Sequence, residues 1–259
     1  MERAQLLALY EQQQRIDIEY RLMRREVTPE VVRYVPLQTG VEGMVLYSHL
    51  NAENADRVIA EQIARYRQSN QNFEWKTYDY DTPDDLKERL SAQGFQAEEP
   101  EALLVLDIET APPALLQPVK HAVRRITDPQ QLEEVRQILE SVWDDPHTWL
   151  VSFLGDELIN DPAHVSVYIA YAEDVPVSAA WIFFHDHNQF AGLWGGSTLA
   201  PYRGQGFYTA LLAVRAQEAQ QRGVRFLTVD ASPMSRPILE KNGFEFLTLT
   251  QPFKWHVPS

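Results

Sequence analysis

The sequence predicts an α/β (α+β) fold in which helices flank a mixed, mostly antiparallel central sheet. Helical and strand-like segments alternate along all 259 residues. In the second half, three strand-like runs follow one another through short polar turns, which is typical of an antiparallel meander. A long helical pattern comes next, after a glycine-containing turn. The 44% content of hydrophobic residues is sufficient for packed cores.

The first half of the chain reads as helix, strand, strand, helix, strand, helix, strand. Helices are indicated by apolar residues that recur every three or four positions, and strands by alternation or short apolar runs. The short third helix carries Pro83 in its first turn and is stopped by Gly94. The predicted segments are a helix over 3–25, strands over 31–36 and 44–49, a helix over 54–67, a strand over 73–80, a helix over 81–93 and a strand over 103–106.

The second half repeats the end of that order and adds the meander. Its long helix has an apolar face that begins at Phe207 and fades at Glu218, and Gly223 ends it. The predicted segments are a strand over 123–126, helices over 129–143 and 148–158, strands over 164–172, 176–184 and 189–198, the long helix over 207–222, a strand over 225–229, a helix over 234–241 and strands over 244–247 and 253–256.

A proline-rich stretch separates the two halves. Pro112, Pro113 and Pro118 each remove a backbone donor and bias the preceding residue away from helix. We therefore predict an N-terminal domain over 1–110, a linker over 111–119 and a C-terminal domain over 120–259.

Composition narrows the possible partners and compartments. The net charge is −14 and the pI is about 4.9, and Lys and Arg form no basic stripe, which disfavours nucleic acid and anionic lipid as partners. The absence of cysteine excludes disulfides, thiolate nucleophiles and thiolate metal sites. The polar start does not resemble a signal peptide, and no apolar run reaches the roughly 18 residues of a membrane span. We expect a cytoplasmic protein without a metal centre; its oligomeric state stays open.

The turn before the long helix is the segment with the clearest chemical meaning. Residues 201–208 lie between a strand and a helix, where free N–H groups and the helix dipole favour an anion. Gly204 and Gly206 permit positive φ and close approach of the backbone to a ligand, and Arg203 adds a cation. This pattern indicates a phosphate site. A plain loop with a glycine helix cap is the structural alternative.

Two nucleotide-binding motifs fit this turn poorly. A dinucleotide-binding fold would need a third glycine where Thr209 stands, and its turn would open a βαβ unit instead of following a meander. Asp230, at the end of the next strand, is the one feature that suits that fold. A Walker-type loop is excluded because no Lys-Ser or Lys-Thr follows the glycines.

The arrangement resembles the GNAT superfamily of acyl-CoA N-acyltransferases. The family signature, Arg or Gln, two residues, Gly, one residue, then Gly or Ala, is met by Arg203 and Gly206, whereas Tyr208 departs from its last position. Residues 232–244 resemble the family's helix that ends in Gly-Phe. The likeness spans nearly all of residues 120–259. Residues 1–110 resemble a degenerate second unit that lacks the Arg-x-x-Gly-x-Gly turn, as in tandem members of the family, and we expect this half to bind no cofactor.

The resemblance implies an N-acetyltransferase that moves an acetyl group from acetyl-CoA to a primary amine of a small or amino-acid-like acceptor, by direct attack in a ternary complex. The strand that ends at Thr198 and Leu199 would bind the pantetheine arm and help to hold the thioester carbonyl. The implied cofactor-binding residues are Thr198, Leu199, Arg203, Gly204, Gln205, Gly206, Phe207, Tyr208, Ser232 and Ser235.

The sequence leaves several candidates for the groups that transfer protons. A primary amine with a pKa of about 10.4 must lose a proton before it attacks. Asp230 is the candidate catalytic base; the turn over 185–187, Asp144, Asp145 or water are alternatives. The family's tyrosine acid is replaced by Leu239, so no acid is assigned, and Ser235, Tyr202 or water would have to serve. Leu239 also favours a second hypothesis, a catalytically silent acyl-CoA-binding or interaction module.

Overall fold

The computed structural model of the protein describes residues 1–38 and 41–258. Most predicted segments of the first half are present. The helix predicted over 3–25 is wrong in length: its regular part stops at Tyr10, a π-helical turn follows to Ile16, and a strand then begins at Met23. The elements are α1 (Arg3–Tyr10), β1 (Met23–Val27), β2 (Val31–Pro36), β3 (Gly43–Ser48), α2 (Ala55–Gln68), β4 (Phe73–Tyr78), α3 (Leu86–Ala92), β5 (Gln96–Ala97) and β6 (Glu101–Asp107).

The second half follows its prediction closely. The exception is the C-terminus, where two predicted strands are one continuous strand of 11 residues. The elements are β7 (Ala122–Ile126), α4 (Leu132–Trp143), α5 (Thr148–Asn160), β8 (Val165–Ala172), β9 (Val175–Phe184), β10 (Phe190–Thr198), α6 (Phe207–Gln221), β11 (Phe226–Ala231), α7 (Arg236–Lys241) and β12 (Glu245–Trp255).

The chain divides into two compact units that do not follow the chain linearly. The division at residues 110 and 120, drawn from the prolines, remains a prediction about domain organisation. The first unit comprises Met1–Leu104, Asp230–Ile238 and Phe246–Ser259, and the second comprises Val105–Val229 and Leu239–Glu245.

The first unit contains the strand order β1, β2, β3, β4, β12. The first three strands are antiparallel, β3 and β4 are parallel, and α2 connects them. Residues 250–255 of β12 pair antiparallel with β4, so the last strand of the chain completes a sheet of the first half. Val58, Ile59 and Tyr66 on one face of α2 are buried in the core of this unit.

The second unit contains the strand order β7, β8, β9, β10, β11. The first four strands are antiparallel, and β10 and β11 are parallel and connected by α6. All but the last residue of β8 is buried, as expected for a strand with helices on both faces. One face of α4 buries Val135, Ile138 and Leu139 against β8 and β9. The fold class predicted from the sequence is confirmed, and each unit has antiparallel strands followed by a parallel pair that a helix connects.

Candidate active site

The turn between β10 and α6 has the backbone conformation that its glycines suggested. A short 3₁₀ turn over Ala200–Tyr202 follows β10. Gly204 then has φ +74°, and Gly206, the N-cap of α6, has φ +89° and ψ 0°. Both values lie in the left-handed region, where only glycine avoids a steric penalty. No side chain caps this helix.

The backbone amides of this turn are available to a ligand. Among the hydrogen bonds of residues 41–258, none is donated by the backbone of Gly204, Gln205 or Gly206. These amides are exposed, and the first turn of α6 adds further N–H groups without an intrahelical acceptor. An anion would satisfy them, and the helix dipole would favour it.

Arg203 supplies the cation of this turn. Its Nε donates to the carbonyl oxygen of Thr198 at 3.1 Å, which orients the guanidinium at the end of β10. In the described part of the chain Arg203 has no ion pair with a carboxylate, so its terminal nitrogens can meet a ligand anion. Gln205 closes the turn through a 2.9 Å bond from Nε2 to the carbonyl oxygen of Pro201.

The equivalent helix start in the first unit is partly satisfied by the chain itself. Before α2, the Asn51 side chain accepts hydrogen bonds from the amides of Glu53 and Asn54 at 2.9 and 3.0 Å. Glu53 and Asp56 also place negative charge there. Two amides at this start are thus taken up by Asn51, and the cation nearby, Arg57, is paired with Glu30 and Glu61, in contrast to the Gly206 turn.

Strands β10 and β11 pair only at their beginnings. Their parallel register comprises Phe190 with Phe226, Ala191 with Leu227 and Gly192 with Thr228, although β10 continues to Thr198. On its other side, β10 contains a bulge between Gly195 and Ser197 in its pairing with β9. A strand that loses its partner and is bulged presents backbone groups to a ligand.

Tyr208, the residue that departs from the family signature, packs against the bulge. Gly195 and Gly196 have φ of +74° and +81°. A Cβ at Gly196 would lie 2.7 Å from Cε2 of Tyr208, and one at Gly195 would collide with the indole of Trp181. The Tyr208 ring therefore occupies the space that a side chain at position 196 would need. Burial raises the pKa of Tyr208, so this phenol stays protonated.

A family model described as Acetyltransferase (GNAT) family matches residues 130–244, which contain this turn and this bulge. Residues 130–244 form a domain of the GNAT family. The acyltransferase class predicted from the sequence is thereby confirmed.

Solved structures extend the likeness to the whole chain as a fold. A GCN5-related N-acetyltransferase from Kribbella flavida is 14% identical, with a TM-score of 0.68 over 97% of this chain and 92% of its own. A tandem GNAT protein from the clavulanic acid biosynthesis pathway is 14% identical, with a TM-score of 0.58 over 88% and 79%. A GCN5-related N-acetyltransferase from Sphaerobacter thermophilus is 13% identical, with a TM-score of 0.58 over 90% and 82%. No curated protein matches the chain in sequence.

Of the remaining predicted cofactor residues, Ser232 and Ser235 belong to the first unit. The amide of Ser235 donates to Oγ of Ser232 at 3.3 Å, and the two hydroxyl oxygens lie 3.2 Å apart. This is a local turn in which each serine satisfies the other. Their role toward a cofactor remains a prediction.

The candidate base Asp230 is part of an ion pair within the first unit. Its Oδ2 accepts from Nζ of Lys76, and its Oδ1 accepts from the hydroxyl of Thr250 at 3.0 Å. Burial disfavours the charged ammonium, but the Asp230 carboxylate outweighs it and holds the pKa of Lys76 well above its ordinary value. Asp230 would have to loosen this pair to accept a proton from a substrate, and its role as base remains a prediction.

The alternative bases lie in exposed turns. Asp144 caps the end of α4 with φ +52°, and the carbonyl of Asp145 lies 2.6 Å from Nδ1 of His147. His187 has φ +57° in the turn between β9 and β10, and its ring is exposed. These contacts are those of turn residues and assign no proton-transfer role.

Three of the large aromatic residues of the second unit are exposed. Trp181 is 5% exposed and lies in the core, whereas Trp143, Trp149 and Trp194 are 58%, 69% and 54% exposed. An exposed indole is a large apolar surface that a ligand can cover.

Two residues near candidate functional features had no signal in the sequence. His121 packs its ring on Phe207 at a centroid distance of 4.3 Å, and its Nε2 would be 3.1 Å from a Cβ at Gly206. In the first unit, Glu101 lines a cavity of about 350 Å³ together with Glu74, Ser232 and Lys254. Burial and the Asp230 carboxylate raise the pKa of Glu101 to about 7. Both placements depend on tertiary contacts that a local pattern does not encode.

No cluster of three His, Asp or Glu side chains in residues 1–38 and 41–258 has the arrangement of a metal site. No helix of this part of the chain combines the length and hydropathy that a membrane span requires.

Proposed function

We propose that this protein transfers an acetyl group from acetyl-CoA to a primary amine of a small or amino-acid-like molecule, in a ternary complex and without a metal. Its GNAT domain belongs to a family of acyltransferases. The donor and the acceptor class come from the resemblance of its motifs to that family. A cytoplasmic location and the absence of nucleic-acid and membrane partners are part of the same proposal.

The observation that carries the proposal is the open turn at Gly206. Arg203, the free amides of residues 204–206 and the start of α6 supply a cation, hydrogen-bond donors and a dipole for one pyrophosphate. At the corresponding helix start of the first unit, the Asn51 side chain accepts from two amides and no unpaired cation is present among the described residues. We therefore expect one cofactor per chain.

The bulge on β10 supports the chemistry that would follow. A thioester held beside an amine gains from proximity, and a fixed backbone N–H stabilises the oxyanion that forms on its carbonyl. Thr198 and Leu199, at the end of this strand, would bind the pantetheine arm next to the turn. Gly195 and Gly196 make room for the rings of Trp181 and Tyr208, and Gly195 leaves the backbone of the bulge exposed.

A catalytically silent acyl-CoA-binding module is the second candidate. It is favoured by Leu239, which is fully buried and stands where the family often has a tyrosine acid. Such a module would bind acetyl-CoA at the Gly206 turn but would release no thiol with any acceptor.

Two measurements test the proposal. Free thiol released from acetyl-CoA is followed with a panel of small amines and amino acids, and turnover with at least one acceptor is expected. An isotherm for acetyl-CoA should show one site per chain, and a hundredfold excess over its Kd should stabilise the fold by about 2.7 kcal/mol. Binding without turnover identifies the silent module, absence of binding contradicts both candidates, and two equivalent sites would contradict the degenerate first half.

A further inference from the structure

The second unit buries one arginine without a carboxylate partner. Arg215, on α6, is 2% exposed. Its Nε donates to the carbonyl of Leu211 at 3.0 Å, and its Nη1 donates to the carbonyls of Trp181 and Trp194 at 3.1 and 3.2 Å. In the described part of the chain Arg215 makes no ion pair with Asp or Glu. The hydrogen-bond acceptors of its guanidinium are therefore all backbone carbonyl oxygens.

Burying a charged guanidinium without a carboxylate costs free energy of folding, so we ask what the charge contributes to function. A buried cation loses its hydration, and carbonyl dipoles repay only part of that loss. Arg15, which is also fully buried, instead meets the carboxylates of Asp81 and Glu11. Burial lowers the pKa of Arg215 to about 10, so the guanidinium still carries its charge near neutral pH.

The charge of Arg215 is placed behind the bulge of β10. The carbonyl of Trp194 and the amide of Gly195 belong to one peptide group. Polarising this carbonyl from the α6 side makes the N–H at its other end a stronger donor, because linked hydrogen bonds reinforce one another. Gly195 is exposed and Gly196 half-buried, so the backbone of the bulge is accessible to a ligand. Negative charge that forms at the bulge would thus be stabilised by the polarised N–H of Gly195 and by the guanidinium of Arg215 behind it.

We propose that Arg215 is a positioning residue for acyl transfer, which acts through the Trp194–Gly195 peptide to stabilise the oxyanion of the thioester carbonyl at the β10 bulge. This inference rests on the proposed function. In that reaction the amine nitrogen forms a bond to the carbonyl carbon, and the carbonyl electrons move onto oxygen. The carbon–sulfur bond then breaks, and the thiolate takes up a proton equivalent to the one that the nitrogen loses. Arg215 acts on the intermediate oxygen and makes no contact with the acceptor.

The experiment uses the full chain with three substitutions of Arg215. Arg215→Met keeps the apolar volume and removes both the charge and the donors; Arg215→Gln keeps a donor without the charge; Arg215→Lys keeps the charge. We expect kcat to fall roughly 10- to 100-fold in the Met and Gln variants, by analogy with the loss of an oxyanion donor. The Lys variant should recover a substantial part of kcat. The Kd for acetyl-CoA should stay within about threefold throughout.

Arg222→Met is the matched control, because Arg222 lies at the end of the same helix and bonds Glu218 and the carbonyl of Ala163. It should keep the parent kcat. A folded Met or Gln variant with parent kcat overturns the inference, as does an equal loss of kcat in the Met, Gln and Lys variants. If Met does not fold, the comparison of Gln with Lys decides in the same way. A parent protein that releases no thiol contradicts the proposed function instead.

Discussion

The indole Nε1 of Trp143 donates a 2.8 Å hydrogen bond to the hydroxyl oxygen of Ser197. This bond joins the last residue of α4 to the residue that follows the bulge of β10. Ser197 is 3% exposed, whereas 58% of Trp143 remains exposed. A large aromatic surface is thus held in one orientation at the strand that we expect to bind the thioester.

Replacing Trp143 by Phe tests whether this orientation serves the acceptor. The variant keeps an aromatic ring but removes the N–H donor, so Ser197 loses its partner at a cost of about 1 kcal/mol. We expect the acceptor KM to rise roughly three- to tenfold while the Kd for acetyl-CoA is unchanged, as steady-state kinetics and calorimetry can show. Trp149→Phe, at another exposed tryptophan, is the control and should leave both unchanged. If the acceptor KM of Trp143→Phe is unaltered, the hydrogen bond between Trp143 and Ser197 contributes to stability and not to binding of the acceptor.

Much of the fold was predictable because its signals are local. The meander of β8, β9 and β10 and the long α6 follow from apolar periodicity and turn residues within each segment. Strand β1 was missed because Arg24, Arg25 and Glu26 give it no strand pattern; it forms as the antiparallel partner of β2. The unbroken β12 was missed for a similar reason, since its pairing with β4 carries the strand through Pro252.

Gly206→Asp tests the anion site directly. A carboxylate at this position places a like charge and a side chain where the pyrophosphate is expected, so binding of acetyl-CoA by calorimetry should fall at least a hundredfold. The fold should lose about 1–2 kcal/mol, because φ is +89°. Gly206→Ala carries the same backbone strain and the same contact with His121 without the charge, and should bind far better than the Asp variant.

Arg203→Ala is the graded companion of these variants. It removes the cation and leaves the turn open, so binding should weaken by a smaller factor than in Gly206→Asp. Parent-like binding by the folded Asp variant would show that the pyrophosphate is held elsewhere and would remove the main support for the proposed function.

The candidate site was predictable only where one segment builds it. Gly204 and Gly206 predicted a turn with positive φ. Arg203 belongs to the same short segment, so its position in the turn was predictable as well. Arg215 gave no signal, because its meaning comes from carbonyls of β9 and β10 that meet it only in the folded unit. Asp230 was singled out by its place at a strand end, but the ion pair with Lys76 depends on a residue 154 positions away.

The Lys76–Asp230 pair should be a strong determinant of stability. Asp230→Asn leaves a nearly buried ammonium without its counter-ion, so the free energy of unfolding should fall by about 3–5 kcal/mol in urea titrations. Lys76→Met/Asp230→Asn removes both charges and should recover most of that loss. Because the folded pKa of Lys76 is raised, its contribution is fully present below the ordinary lysine pKa and is lost as the pH rises through the raised value.

The double variant also tests Asp230 as the base. It separates catalysis from stability, because we expect it to fold without the carboxylate. If Asp230 accepts the amine proton, turnover of the double variant at neutral pH should be much lower than that of the parent, with cofactor binding retained. If turnover and the pH profile equal those of the parent, Asp230 is not the base, and Asp144, Asp145, the turn over 185–187 or water remain as candidates.

Glu101 should make the stability of the protein depend on pH. Burial and Asp230 raise its pKa from 4.5 to about 7, with Glu74 and Glu98 adding to the shift and Lys76 opposing it. The folded chain therefore binds this proton more tightly than the unfolded chain. The stabilisation is complete below the ordinary glutamate pKa and is lost as the pH rises through about 7.

Glu101→Gln fixes the neutral form and should therefore stabilise the protein at high pH. After allowance for solvent screening of this partly exposed group, we expect a gain of about 1–2 kcal/mol in the free energy of unfolding at pH 8.5, shrinking as the pH falls to 5.5. Urea titrations at both pH values measure it. Glu99→Gln, at an exposed residue of the same cavity wall, is the control and should show no such pH-dependent gain. Equal effects of the two substitutions would contradict the raised pKa of Glu101 and would mean that burial and Asp230 do not stabilise its protonated form.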